Sequence, residues 1–329
     1  MKSANFFFPE KIENHPKEMS KMLEIIFSGV RGFRRDSHII QERGVSSDFG
    51  AVDAYEHLAL IIDTDRAIEW LTQLVEQKGA TMITATIEGD LFDLEDSLRE
   101  EYKADAIVNA TGLAGTELAG DPCCYPIRGG LLRVINNGKD FPKVEHALTI
   151  SADANTPEEI VFIVPRNDNI LLIGGIVEPN EGELSLTLES PIIKRMRERC
   201  EAFLPVLKNA RLDDEYPLAQ GLRPFRKRNL RVERELRVKE GVVDGELRER
   251  HSRVIHSYGH GGAGWSLSFG CAGDVASLVE EALLDLPPRS LTSQNTAVAR
   301  PSISTESVGN ARSCVVSPIV SQPMVSVRV

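Results

Sequence analysis

The residues with the clearest chemical potential lie in Gly259-His260-Gly261-Gly262-Ala263-Gly264, which follows the apolar run Arg253-Val254-Ile255-His256-Ser257-Tyr258 and precedes a helical pattern. A glycine-rich turn from strand to helix leaves backbone N–H groups and a helix N-terminus facing an anionic or electron-rich ligand. Read literally, Gly259, Gly261 and Gly264 spell G-x-G-x-x-G, the pattern of a dinucleotide site. An opening fingerprint of that kind needs a second strand after the helix, with an acid about 20 residues past the turn to hold a ribose. Here the helix carries Val275, Leu278, Val279, Ala282 and Leu283, stops before Pro287-Pro288, and keeps Glu280 and Glu281 inside it. The turn therefore reads as the closing strand–turn–helix of a nucleotide-binding fold. A glycine turn that only packs helix on sheet is the alternative.

Other combinations offer less. His256 and His260 straddle a strand and a turn, so they do not share a helix face as a zinc-binding H-x-x-x-H pair would, and no metal site is expected. Cys123-Cys124 reads as a pair of loop or buried thiols. No G-x-S-x-G elbow is present to support a serine nucleophile. Arg223 precedes the basic run from Arg226-Lys227-Arg228 to Arg231, and charge runs of this kind are usually solvated. That run has no interleaved aromatic residues to suit a nucleic acid.

The elements that must position these residues read as mixed helix and strand. Asp63-Thr64-Asp65 starts a helix with Ile68, Leu71 and Val75 on one face and Gly79 at its end. Met82 to Ile87 reads as a strand, Leu91 to Tyr102 as an acidic amphipathic helix, and Ala104 to Ala110 as a strand closing on Thr111-Gly112. Further on, Glu159 to Val164 and Ile170 to Ile176 flank the turn 165–169 as an antiparallel hairpin. A helix then begins with Ser190 as N-cap and Pro191 at its first position, and it carries Ile193, Met196, Cys200 and Phe203 on one face until Pro205.

Composition sets the outer limits. A chain of 329 residues corresponds to roughly two domains. Its net charge of −11 speaks against wrapping nucleic acid or an anionic membrane and favours a small-molecule ligand. Five cysteines without C-x-x-C spacing point to a reduced, intracellular chain. Phe6-Phe7-Phe8 is too short for a signal-peptide core, and no run approaches the ~18 apolar residues of a membrane span. Residues 287–329 are rich in Ser, Thr, Val and Pro, carry four arginines and one glutamate, and read as a disordered tail of net charge +3, leaving −14 on residues 1–286.

The order of motifs is more specific than any one of them. Ala106-Ile107-Val108-Asn109-Ala110-Thr111-Gly112, Pro126-Ile127-Arg128-Gly129-Gly130, Phe162-Ile163-Val164-Pro165, Gly174-Gly175, Gly221-Leu222-Arg223-Pro224-Phe225-Arg226 and Tyr258 to Gly264 together resemble the D-amino-acid oxidase family. The resemblance covers about residues 57–286, in family order. It implies FAD as cofactor, an amino acid or amine as substrate and molecular oxygen as electron acceptor. The reaction it implies moves hydride from the α-carbon of a D-amino acid to the flavin and yields an imino acid and hydrogen peroxide. By the same resemblance Arg223 pairs with the substrate carboxylate, which a planar guanidinium grips in a bidentate, oriented way. Gly261, Gly262, Ala263, Gly264, Trp265 and Ser266 match the loop at the flavin ring, and Thr111, Gly112 and Arg128 match segments lining the cofactor. No catalytic side chain is assigned.

Two departures bear on function. Phe162 stands where the family commonly has a tyrosine hydroxyl, and Pro157-Glu158-Glu159 stands near a second, so another amine such as a secondary amine or glycine derivative is the alternative substrate. Residues 1–56 supply no G-x-G-x-x-G, so the chain reads as lacking the opening βαβ unit that receives the FAD pyrophosphate, and a non-catalytic remnant is the further alternative. The fold expected is α/β, an incomplete Rossmann-like FAD domain (57–120 and 226–286) with a mostly antiparallel substrate domain (121–225) after a partly helical segment (1–56). A cytoplasmic location is expected. The resemblance adds the peroxisome, but Ser326-Val327-Arg328-Val329 is not an S-K-L address.

Overall fold

The computed structural model describes residues 1–150, 160–243 and 246–289, with residues 241–243 and 246–248 described by backbone alone. The chain begins with β1 (Lys2–Phe8), α1 (Pro16–Phe27), β2 (Arg34–Arg35), α2 (Ile39–Glu42), β3 (Asp53–Ala59) and α3 (Thr64–Gln77). Then come α4 (Leu91–Tyr102), β4 (Ile107–Asn109), α5 (Gly115–Leu118), β5 (Cys124–Ile135), β6 (Ala147–Ile150), β7 (Val161–Pro165), β8 (Ile170–Gly174) and β9 (Glu178–Pro179). The remainder is α6 (Pro191–Phe203), β10 (Leu218–Arg226), β11 (Arg231–Arg234), β12 (Val238–Val243), β13 (Glu246–His251), β14 (Val254–Tyr258) and α7 (Gly264–Leu283). Among the described residues no helix is long and apolar enough to cross a membrane. The tail proposed for 287–329 lies outside the described residues from 290 onward.

These elements group into two units, one of Met1–Ile83 and Arg128–Leu222, the other of Thr84–Ile127 and the described residues from Arg223 on. The packing boundary thus falls at 83/84, where the sequence suggests 56/57. The reason is pairing across the expected border. β3 is antiparallel to β1 over Asp53–Ala59, and the start of α3 is held by Arg166, whose guanidinium donates to the Ile62 carbonyl and to Thr64 Oγ1. Residues 1–56, expected to be partly helical, supply β1, α1, β2 and α2 of this unit.

A mixed nine-stranded sheet, ordered β10-β5-β8-β7-β6-β1-β3-β2 with β9 beside β5, forms the first unit's frame. The Phe6-Phe7-Phe8 run belongs to β1, which is parallel to β6 and antiparallel to β3. The expected hairpin is present as β7 and β8, antiparallel with Phe162 opposite Gly174. α6 packs on it through Ile193, Met196, Cys200 and Phe203, all fully buried with Phe7, Leu132, Ile163 and Ile173. Each such side chain contributes on the order of 1.5–3 kcal/mol by leaving water. Gly174 lies close to both neighbours, since a Cβ there would lie 3.3 Å from Met196 Sδ on α6 and 2.5 Å from Leu131 Cδ2 on β5. Ser190 does sit at the N-cap, but its hydroxyl accepts from the Thr187 amide rather than capping α6.

The second unit is built on the sheet β11-β14-β4, with β14 central, antiparallel to β11 and parallel to β4. β12 and β13 form a separate antiparallel hairpin. α7 packs on β11 and β14, and α4 is fixed to the start of β14 through the buried Glu95, which accepts from Ser252 Oγ and the Arg253 amide, each at 2.9 Å.

One expected strand is absent, and one expected helix forms without burying its stripe. Met82 to Ile87 forms no strand: no described strand lies beside it to complete a ladder, and Met82 and Ile83 are 55% and 52% exposed. α3 forms, yet its stripe of Ile68, Leu71 and Val75 stays exposed, and Asp63 makes no side-chain cap bond. Periodicity encoded the helix here without a described surface for the stripe to cover.

Candidate cofactor and carboxylate site

The site grows from the end of β14. Val254, Ile255, His256 and Tyr258 are buried, so the strand is firmly seated before the chain turns. Gly259 (φ +84°) and Gly261 (φ +55°) adopt the left-handed region that a side chain disfavours. Space adds a second demand: a Cβ on Gly261 would lie 2.8 Å from the Phe225 ring, and one on Gly259 would lie 3.0 Å from Arg226 Cβ. The turn is therefore laid directly against the segment 223–226, and the Gly261 amide donates to the Pro224 carbonyl at 2.8 Å.

This contact brings three of the sequence-predicted groups together inside the second unit. A Cβ on Gly262 would sit 3.9 Å from Arg223 Cδ, so the arginine stem passes beside the turn. Pro224 also meets the Thr111-Gly112 turn, where Gly112 (φ +65°) has its would-be Cβ 3.3 Å from Pro224 Cβ. Burial lowers the pKa of the half-buried Arg223 guanidinium from its ordinary value, the mark of a cation taken partly out of water. Gly264 opens α7 and is exposed, with nothing within 4 Å of a Cβ added there. The amides of Gly264 and Trp265 open α7 and precede any carbonyl of that helix that could receive them.

Asp121 locks the arrangement. Its Oδ2 accepts from Arg226 Nε at 2.7 Å and from the Tyr258 hydroxyl at 3.0 Å, and its Oδ1 accepts from the Cys123 amide. Burial pushes its pKa up, but the amide, Arg226 and Tyr258 together outweigh that and hold it below the usual value. Arg231 donates to the Tyr258 hydroxyl at 2.7 Å, and burial raises the Tyr258 pKa above its ordinary value. Asp121, Tyr258 and Arg231 were not marked in the sequence as site residues. Asp121 stands 137 positions from Tyr258, and no local pattern announces such a pair.

The remaining sequence-predicted residues divide between the two units. Arg128 belongs to the first unit and is 6% exposed. Its Nε donates to Glu178 at 2.8 Å, and its Nη1 donates to the Glu183 carbonyl and Ser185 Oγ. Phe162 is 9% exposed on β7, clustered with Leu131, Val164 and Leu172. Trp265 and Ser266 lie in the first turn of α7. His256 is bonded to Asn109 and Glu235, while His260 supplies its carbonyl to the Ala263 amide.

Residues 30–278 match the family described as FAD dependent oxidoreductase, DAO. The chain belongs to this family. It is 35% identical over 235 residues to a D-amino-acid oxidase of Rubrobacter xylanophilus, covering 71% of this chain and 62% of the relative. A D-amino-acid oxidase of Streptomyces coelicolor is 32% identical over 221 residues, 66% of this chain and 58% of its own. The chain thus spans about three-fifths of the length of these relatives. A solved glycine oxidase from Geobacillus kaustophilus shares the fold, with a TM-score of 0.59 at 18% identity over 85% of this chain and 71% of that one.

Proposed function

We propose that the second unit of this DAO-family chain receives the ring end of FAD at residues 261–266 and that Arg223 takes the carboxylate of a D-amino acid. The observation that supports this reading is the passage of the Arg223 stem beside Gly262, two residues before α7 begins. The residues present suit such a group. Left-handed glycines keep side chains out of the turn, Gly264 adds none at the start of α7, and the positive end of that helix favours an electron-rich ring edge.

When bound, FAD supplies the hydride acceptor and the route by which two electrons and two protons reach dioxygen to give hydrogen peroxide. The chain's own part is orientation. Arg223 holds the carboxylate through two parallel N–H donors, which restricts how the α-carbon is presented to the acceptor. The substrate loses that hydride and one N–H proton, and a C=N bond forms. Asp121, through Arg226 and Tyr258, holds the segment that carries Arg223 against the turn.

A second reading rests on Phe162, which carries no hydroxyl to bind a carboxylate: the substrate is then a secondary amine or a glycine derivative. Turnover of FAD-loaded protein against D-amino acids and N-methyl amines, with peroxide as readout, separates the two. Arg223→Ala that left kcat/KM for the preferred acid unchanged would remove Arg223 from the site.

A further inference from the structure

We propose that Glu235, His256 and Asn109 form a hydrogen-bond chain of fixed polarity that holds the Thr111-Gly112 turn in shape for the cofactor, which makes all three positioning residues. The inference deepens the proposed function and rests on it for the identity of the ligand.

The direction of every hydrogen follows from one end. The Thr111 amide and the Thr111 hydroxyl both donate to Asn109 Oδ1, at 3.2 and 2.7 Å. A backbone N–H can only donate, so the Asn109 oxygen is the atom facing Thr111 and its nitrogen is the atom facing His256. Asn109 Nδ2 lies 3.2 Å from His256 Nδ1. That amide nitrogen must donate, so Nδ1 carries no proton and the ring's hydrogen sits on Nε2. Nε2 lies 3.2 Å from Glu235 Oε2 and donates to it.

The carboxylate is anchored in turn. Glu235 Oε2 accepts from Arg237 at 2.8 Å, and Oε1 accepts from the amides of Leu236 and Arg237. Arg237 also pairs with Asp90, the N-cap of α4. Burial raises the Glu235 pKa, but the His256 and Arg237 hydrogen bonds overcome this and hold the carboxyl well below the usual range. For His256, burial dominates and lowers the pKa, which keeps the ring neutral as the chain requires.

Placement explains what such a chain can do. Asn109, His256 and Glu235 are 1%, 0% and 3% exposed, and they cross the sheet from the end of β11 through β14 to the C-terminal end of β4. Three buried polar groups are costly unless every partner is in place. In open α/β sheets the C-terminal ends of parallel strands are where ligands bind, and the group held here is the turn that also touches Pro224, next to Arg223. A second hydrogen on the ring would meet the Asn109 amide head-on and release that turn.

The test uses histidine-labelled full-length protein without FAD, then FAD titration. The expected NMR signature is a neutral His256 with hydrogen on Nε2, and Asn109→Asp moves a hydrogen to Nδ1. Gln at 256 accepts from Asn109 and donates to Glu235, so His256→Gln keeps FAD affinity within about threefold, whereas His256→Leu weakens it by about tenfold or more. Thr111→Val removes one donor at the half-buried end without touching the sheet interior, and weakens FAD about three- to tenfold. A hydrogen on Nδ1 in the wild type overturns the chain whatever FAD does, as does wild-type affinity in both His256→Leu and Thr111→Val. Failure of the wild type to bind FAD overturns the cofactor reading instead, and the NMR assignment distinguishes the two failures.

Discussion

Replacing Gly261 with alanine tests whether the turn is shaped by its contact with the Arg223 segment. At φ +55° an L-residue costs about 1–2 kcal/mol. The new methyl would also lie 2.8 Å from two carbons of the Phe225 ring. That ring is hemmed in by Tyr125, with ring centroids 5.9 Å apart, and its neighbour Pro224 is tied to the Gly261 amide. Relief therefore requires the ring or the backbone to shift, and overpacking of this kind costs about 1–3 kcal/mol. The expected loss is about 2–5 kcal/mol, read from urea denaturation followed by circular dichroism. Gly264→Ala is the control: the same atom is added three residues on, at a helix position with nothing within 4 Å, so stability should hold or rise by up to about 1 kcal/mol. Equal stability of Gly261→Ala and the wild type, or equal losses in the two variants, would refute the reasoning.

Three further outcomes follow from the same geometry. In FAD-loaded protein, Arg223→Ala should lower kcat/KM for a D-amino acid about a hundredfold or more, from the loss of charge-assisted hydrogen bonds worth about 1.5–3 kcal/mol each, and Arg223→Lys should recover only part because a point charge lacks the fork. His256 has a folded-state pKa lowered by burial, with Arg231 adding to the fall and Glu235 and Glu233 opposing it. The unfolded chain therefore takes up the proton first, so the stabilising contribution is complete above the ordinary histidine pKa of about 6.5 and is lost as pH falls through the lower folded value. The urea midpoint should drop between pH 8 and pH 5, and His256→Gln should flatten that drop; an unchanged slope would count against it. Cys200, fully buried on α6 with its thiol pushed up to about 12 by burial, should resist a water-soluble thiol reagent at pH 8 until the chain is unfolded, while the half-buried Cys123 reacts in the native state.

What could be read from the sequence was what local chemistry encodes. The stripe Ile193, Met196, Cys200, Phe203 behind Ser190-Pro191 forms a buried helix because its period matches 3.6 residues and the sheet beneath it is apolar. The Gly259–Gly264 turn was legible because only glycine tolerates both its φ and its approach to Phe225 and Arg226. Arg223 was located by its motif, and the structure lays its stem beside that turn. The rest depends on partners far away in the chain. Asp121 with Tyr258, and Asn109 with His256, are 137 and 147 positions apart, so no window of sequence contains the pair. Met82 to Ile87 shows the converse: the strand pattern is present, but the ladder that would make it a strand is not among the described residues.

The central claim is that the turn at 261–266 receives FAD. Its most direct test is the visible spectrum of purified protein after incubation with FAD and removal of free flavin, recorded beside Gly262→Val, whose side chain would fill the space next to Arg223. A flavin band retained by the wild type and lost by the variant is the expected result. No band in the wild type, or equal bands in both, would contradict the account.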